Sequence, residues 1–501
     1  MTVRMRPDRP DRPEPIEHTG PPALPAHWDR QVAAFLADRR AFDEVLHRFG
    51  TPLHLLFPQV FARNIDRLTA VLNEAHTGYR ICYAHKVNRS RAFVRTAAAH
   101  GIGIDVASAG ELDSALTAGF DAGRIEVTGP KGEAFLRELV RTGVTVNVDN
   151  EWELGTLADL ADPSAPVPVL LRVSGFPGSQ VSRFGIPVPR VQRALELLAR
   201  HRDRLLFRGT AFHLDTGDTA ERVRAADTCF AILEQAYSVG LAPSVLDIGG
   251  GLRQVFTADG ARFDDYVHRL RAALAGHGAA MSWGNNTFGY QVDGGAVRGT
   301  PVFHKYANTV TAAEMLAGFL AAPLTNHGGR SVARVAADNL LDIWLEPGKA
   351  LADHAGITVA RVEFVKEASD GSLLVHLDLS RDTVTPADQE VMADPLLLPG
   401  DGAEPAGHPV GVFLAGRLCL ERDLVTTHTV WLPWLPRPGD LIIFPNTAGY
   451  HMDLSAAAAA MHPPAEKVAV ADHDGRFLAT PDADYRPPAS PAAYSDAPEV
   501  P

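Results

Sequence analysis

The chain has 501 residues, 46% of them hydrophobic and 21% charged, with a formal net charge of −13. That length exceeds one ordinary domain, and the negative charge argues against nucleic acid or an anionic membrane as a main partner. No apolar run approaches the roughly 18 residues of a membrane span, and the opening MTVRMRPDRPDRPEPIEH has no apolar core of a secretory signal. Cys82, Cys229 and Cys419 show no CxxC spacing, so the expectation is a reducing, cytoplasmic setting without disulfides or a zinc site.

Residues 1–27 are rich in Pro, Arg, Asp and Glu and read as a disordered leader. The strand-like TPLHLLF (51–57) fits either domain by pattern, and the segment 28–57 is assigned to a β domain. Eight short apolar runs then recur at 80–84, 103–108, 124–129, 145–149, 168–173, 209–214, 244–249 and 342–347. Stretches of helical period, such as AGELDSALTAGF and KGEAFLRELVRTG, follow the first seven. Strands buried on both faces and alternating with helices predict a parallel sheet. Eight repeats suit a closed (β/α)8 barrel over 58–355, although an open doubly wound sheet has the same local pattern. The connection at about 252–341 is too long for a structureless loop and must carry structure of its own. From 356 to 479 strands follow one another without clear helices, predicting an antiparallel β sandwich or barrel. The Pro/Ala-rich 480–501 reads as a flexible tail.

In a parallel barrel the chemistry sits at the carboxyl ends of the strands. Lys86 follows the first strand; a lysine there is usually a surface residue, but desolvation would lower its pKa and make it a carbonyl-reactive amine. Asp105 and Glu111 follow the second strand, where Glu111 could equally favour a helix start. His213 ends the sixth strand, as a buried structural histidine would. Gly249, Gly250 and Gly251 follow the seventh and would expose successive N–H groups to a phosphate, though turns use the same residues. Glu346 closes the eighth strand, a costly place for an unpaired carboxylate. One amine, a phosphate cradle, a carboxylate and a flat imidazole on one face form the inventory that pyridoxal 5'-phosphate (PLP) chemistry needs.

These residues occur in motifs that resemble the fold type III PLP decarboxylases, which include diaminopimelate and ornithine decarboxylases and share the alanine-racemase-like barrel. YAHKVN resembles the family's YAxKAN, which implies that Lys86 is the Schiff-base lysine. DVASAGEL is similar to DvaSggEl, with Asp105, Ser108 and Glu111 in register; SRFGI resembles s[KR]FGi, with Arg172 in the preceding LRV strand. The resemblance implies that His213 stacks on the cofactor ring and that Glu346, in EPGK, pairs with the pyridine nitrogen. It implies phosphate contacts from Gly249–Gly251, Thr216, Lys349 and Tyr450. GRLCLERD is similar to GPxCxSxD, so Cys419 is expected to reach a partner subunit's site as proton donor, making the active unit a homodimer. Arg381, Glu421 and Asp423 are the candidate substrate ligands, and no metal is expected.

Several positions depart from the family pattern. Lys349 replaces arginine, Asp215 stands where glycine is usual, and Leu420 follows Cys419 where an acidic residue would bind a distal amine. Thr385 and Pro386 occupy the place of the substrate-binding arginine and proline. The implied reaction is decarboxylation of an amino acid other than diaminopimelate, with the 252–341 insertion reshaping or covering the pocket. Two alternatives stay open: a racemase, epimerase or other Cα chemistry on the same cofactor, and a non-catalytic binding homologue.

Overall fold

The computed structural model describes residues 21–75, 78–257, 259–386, 391–400, 407–455 and 458–488. The eight expected barrel strands are β1 (Tyr79–Ala84), β2 (Gly103–Val106), β3 (Ile125–Val127), β4 (Thr145–Val148), β5 (Val167–Ser174), β6 (Leu205–Ala211), β7 (Val245–Asp247) and β8 (Asp342–Leu345). Each pairs in parallel with the next, and β8 pairs with β1, so the sheet closes without an edge. Closure excludes the open doubly wound alternative, which the local pattern could not do. Apolar residues such as Ile125 and Val127 alternate with Glu126 along β3, so successive side chains face helices and barrel interior in turn.

Short polar residues start the surrounding helices. Ser90 caps the helix Arg91–Ala99, Ser108 caps Ala109–Thr117 and Asn150 caps Glu151–Leu160, each accepting a backbone N–H in the first turn.

The second domain is a curled sheet ordered 430–432, 410–415, 373–377, 356–367, 53–56, 466–473, 476–481, with 441–444 added to 356–367 and 396–398 to 441–444. Its pairing is antiparallel except where Leu53–Leu56 meets Glu466–His473 and Leu373–Leu377 meets Val410–Ala415. Leu53–Leu56 thus pairs with strands more than three hundred residues away, which its own sequence could not disclose.

Two expected end boundaries need correction. Of the leader, 1–20 lies outside the described residues, but Leu24 is fully buried against Phe256 and Tyr306, and Tyr306 Oη donates to Pro25 O at 2.8 Å. One buried leucine gives that polar segment an apolar seat. Of the tail, 489–501 lies outside the described residues, but Asp482 and Tyr485 are buried. Asp482 accepts from Ser90 Oγ (2.5 Å), Arg91 N (2.8 Å) and Ala92 N (3.1 Å), capping the helix after β1 from 390 positions away. Asp482→Ala is expected to cost about 1–3 kcal/mol, because it leaves buried donors unpaired. A thermal melt lowered by several degrees would show this, and an unchanged midpoint would refute it.

The insertion after β7 carries helices Gly260–Leu274, Ala312–Ala321 and Val332–Asp338 and a hairpin of Gln291–Asp293 with Ala296–Arg298. The helix expected around TAAEMLAGFLAAPL is Ala312–Ala321, with a reciprocal Thr311–Glu314 cap. Phe256, Tyr266, Phe288, Tyr290, Phe303 and Tyr306 give the region a core of its own.

Candidate active site

Lys86 lies in a short turn, His85–Val87, directly after β1. Its Nζ donates to Asp105 Oδ2 at 3.2 Å, while Asp105 Oδ1 accepts from Thr128 Oγ1 at 2.7 Å. Burial alone would lower the ammonium's pKa, but Asp105, then Glu346 and Tyr450, outweigh it and hold it above the ordinary lysine range. The expected lowering of the lysine pKa by desolvation is therefore corrected: the acids around Lys86 outweigh the burial.

Glu346 follows β8 and is buried. Its Oε1 accepts from Asn147 Nδ2 at 3.1 Å, and the same amide donates to Glu126 Oε1 at 2.9 Å. Carboxylate oxygens of Glu126, Asp247 and Glu346 all lie within 4.8 Å of one another. Burial first, then mutual repulsion, raises Glu126 and Glu346 well above the carboxylate range; burial raises Asp247 to about 6. Three acids this close cannot all ionise, so protons are retained among them. Sequence reading missed Glu126, Asp247 and Asn147. The signal was the one used for Glu346, an acid set within an apolar strand.

The glycine loop is wedged against the end of β6. A Cβ on Gly249 would stand 2.2 Å from Phe212 O, and one on Gly251 would stand 1.9 Å from Leu214 O; both residues have positive φ. Two of the three N–H groups expected to face a phosphate are used within the protein. Gly249 N donates to Asp247 Oδ1 (2.6 Å) and Gly250 N to His213 Nδ1 (3.2 Å). The second bond sets the His213 ring and leaves its proton on Nε2. Burial, then Lys86 and Arg172, lowers the His213 pKa to about 3, so the imidazole is neutral. Beneath the loop, the fully buried Arg222 donates to Ile248 O (2.7 Å), Gly250 O (2.7 Å) and Leu214 O (2.8 Å). Arg222 was also missed, since it lies on the helix Thr219–Ser238 and not at a strand end.

Arg172, on β5, lies 4.7 Å over the Phe184 ring, and its charge works against the upward shift that burial imposes on Glu346 and Asp247. Ser108 and Glu111 serve the start of their own helix: Ser108 Oγ accepts from Glu111 N, and Glu111 Oε2 accepts from Ala107 N. Thr216 Oγ1 donates to Glu221 Oε2 at 2.6 Å. The β domain contributes Tyr450, whose N–H donates to Val87 O at 2.9 Å, while Asn88 Nδ2 donates to Ala448 O. The AGY turn thus docks on the Lys86 turn.

The two departures near the phosphate motifs prove to be partners. Lys349 Nζ meets Asp215 Oδ1 at 2.8 Å and Oδ2 at 3.0 Å, and Lys305 of the insertion approaches Oδ2 at 3.6 Å. Burial works against ionisation of Asp215, but Lys349 and Lys305 hold it below its ordinary pKa.

Cys419 is exposed on the connection between strands Val410–Ala415 and Val430–Leu432. Asp423, expected to bind substrate, is buried and accepts from Arg381 N (2.8 Å) and Leu418 N (2.7 Å). Its carboxylate is committed to shaping the cysteine loop, which corrects that expectation. Arg381 Nη1 also donates to Arg422 O, whereas Glu421 is exposed.

The glycine cradle, the acid-held lysine and the buried acid trio fit a ring that carries an aldehyde, a protonated nitrogen and a phosphate. Comparison with known proteins agrees. The family described as "Pyridoxal-dependent decarboxylase, pyridoxal binding domain" matches residues 62–282. A Sinorhizobium fredii protein described as uncharacterized is 34% identical over 444 residues, 87% of this chain and 91% of its own length. Diaminopimelate decarboxylase of Bacillus subtilis is 25% identical over 425 residues, 80% of this chain and 83% of that one. The lysine/ornithine decarboxylase of Vibrio vulnificus solved with cadaverine superposes with a TM-score of 0.64 at 21% identity, covering 88% of this chain and 99% of that one. With these relatives and this barrel, the chain belongs to the fold type III PLP-dependent amino-acid decarboxylases.

Proposed function

We propose that the chain removes the α-carboxylate of an amino acid, with Lys86 holding the cofactor covalently and the active unit a homodimer. The observation that carries this is the Lys86–Asp105 pair set beside Glu346 at one barrel mouth. Bound PLP would supply the electron sink for the carbanion left when CO2 departs. Glu346 would hold the pyridine nitrogen protonated, and His213, fixed by Gly250, would lie against the ring. Asp105 would orient the Lys86 amine and keep a proton available on it. Cys419 would protonate the substrate carbon in the partner's site; its exposure at a loop tip suits that reach. All three cysteines are free, which suits work in a reducing cytoplasm, and no helix among the described residues is long and apolar enough to cross a membrane.

Relatives are named for diaminopimelate, lysine, ornithine and arginine. Leu420 offers no charge to a distal ammonium, and Asp423 is already committed. We therefore propose a substrate whose distal end lacks the diaminopimelate pattern. Trapping released CO2 across L- and D-amino acids tests both points. CO2 from diaminopimelate as the best substrate would overturn the second, and product epimers without CO2 would overturn the first.

Arg222 should matter as a positioning residue. Arg222→Met keeps the apolar bulk but removes three bonds to the carbonyls around the glycine loop. PLP affinity of the apoprotein is expected to fall at least about tenfold, the scale of one or two lost charge-assisted bonds. An unchanged titration would reject this role.

A further inference from the structure

We propose that Glu126 keeps its proton and donates it to Asp247, and is thereby a positioning residue that leaves Glu346 as the carboxylate free to meet the cofactor's ring nitrogen. This rests on the PLP reading above. The three acids come from β3, β7 and the end of β8, and their oxygens crowd within 4.8 Å of one another inside the closed barrel.

The hydrogen bonds around the trio account for some of its oxygens and not others. Asn147 Nδ2 donates to Glu126 Oε1 (2.9 Å) and Glu346 Oε1 (3.1 Å), and Gly249 N donates to Asp247 Oδ1 (2.6 Å). Glu126 Oε2 and Asp247 Oδ2 are sealed from solvent and have no donor among the described residues. Buried oxygens are rarely left so, because each gives up its hydration without a replacement. The two side chains lie within hydrogen-bonding reach of each other. One hydrogen between them therefore satisfies both, with Glu126 donating and Asp247 accepting.

The surroundings set that direction. Burial dominates both acids, but the bond between them adds to it on Glu126 and opposes it on Asp247, which also accepts from Gly249 N. The largest charges acting on Glu126 are the acids Asp247, Glu346 and Asp105, and the Cys82 thiol of β1, pushed up by burial and then by Glu126, stays neutral. Arg172, by contrast, favours ionisation of Asp247 and Glu346, and Lys86 favours that of Glu346. Glu346 Oε2 makes no hydrogen bond among the described residues and is not sealed from solvent, so it is the oxygen open to a ring N–H. A cation could also gather three carboxylates, but it would need lone pairs where Asn147 turns N–H groups toward two of them.

The test begins with infrared spectra of wild type and E126Q at neutral pH, each as apoprotein and loaded with PLP. The difference between them is expected to contain the carbonyl band of a protonated carboxylic acid and no carboxylate band, with and without PLP. The amide of E126Q still donates to Asp247, so PLP affinity, followed by the lysine-linked absorbance, should stay near wild type. E126L offers no hydrogen, and the proton that Asp247 then needs lies between it and Glu346. Affinity is expected to fall about tenfold in E126L, the scale of one charge-assisted bond, for PLP and pyridoxal alike because both carry the ring nitrogen. Apoprotein stability of E126Q should decline less steeply as pH rises above about 4, since a group with a raised folded pKa contributes below its unfolded value and loses that contribution as pH rises. A carboxylate band in the difference spectrum would overturn the inference, as would a stoichiometric metal ion in the purified protein. A folded E126L with the affinity of E126Q would also overturn it, since a residue that only fills space leaves the two alike. If E126L does not fold, the E126Q spectrum decides alone. Absence of any lysine-linked band in wild type would instead remove the PLP reading and leave the Glu126 spectrum as it is.

Discussion

Lys86→Ala is expected to abolish both the absorbance of lysine-linked cofactor near the visible edge and measurable CO2 release, lowering the rate by about three orders of magnitude or more, as loss of a covalent catalyst does. The physical reason lies in two bonds. Lys86 is the only group proposed to join the cofactor covalently, and its ammonium is the partner of Asp105 Oδ2 at 3.2 Å. The alanine variant strands a buried carboxylate that then has Thr128 as its remaining hydrogen-bond partner. Some loss of activity could therefore follow from damage to the site. Lys86→Arg separates the two effects, because a guanidinium preserves the ion pair yet stays protonated and cannot attack a carbonyl. The arginine variant should fold with a wild-type melt and show no lysine-linked band. A variant lacking Lys86 that retains the band would refute the assignment.

The second large effect is expected from Glu346→Gln. A charge-assisted hydrogen bond of about 1.5–3 kcal/mol corresponds to about ten- to 150-fold in rate, and CO2 release should fall by that order in the saturated holoenzyme. The apoprotein should respond in the opposite sense. Glu346 and Asp247 have folded pKa values raised by burial, Asp247 to about 6. Such groups contribute fully below their unfolded pKa, near 4, and that contribution is lost as pH rises through the folded value. Apoprotein stability should therefore decline as pH rises from about 4 upward, and Glu346→Gln should flatten the decline by removing one acid from the trio. Denaturant midpoints at several pH values measure it. A steeper decline in the variant would show that Glu346 is not held against its ionisation by Glu126 and Asp247.

The acid trio also shows why part of the site was hard to read. Lys86, His213 and Glu346 stand at or just past strand ends, inside motifs with fixed spacing, so one dimension was enough to single them out. Glu126 and Asp247 stand within short strands, where an acid is read as an outward polar residue until the barrel is known to close around it. Arg222 lies in the first turn of a helix among other charged residues, and nothing nearby in sequence distinguishes it from a solvated arginine. Ser108 and Asp423 err the other way: each belongs to a motif, yet the Ser108 hydroxyl serves its own helix start and the Asp423 carboxylate serves the N–H groups of Leu418 and Arg381.

From the sequence alone came the eight alternating units, the structured insertion, the strand-rich C-terminal region and the PLP motifs, because periodicity and strand-end residues are local properties. Tertiary structure decided what depends on groups distant along the chain. It closed the sheet through the β8–β1 pair, placed Leu53–Leu56 between strands near residues 360 and 470, and buried Leu24 and Asp482 where composition suggested loose ends. It also showed that Asp215 and Lys349, separate oddities in one dimension, are a bonded pair shared with a lysine from the insertion. Charges compensate through space, across 134 positions here, and no local pattern records that distance.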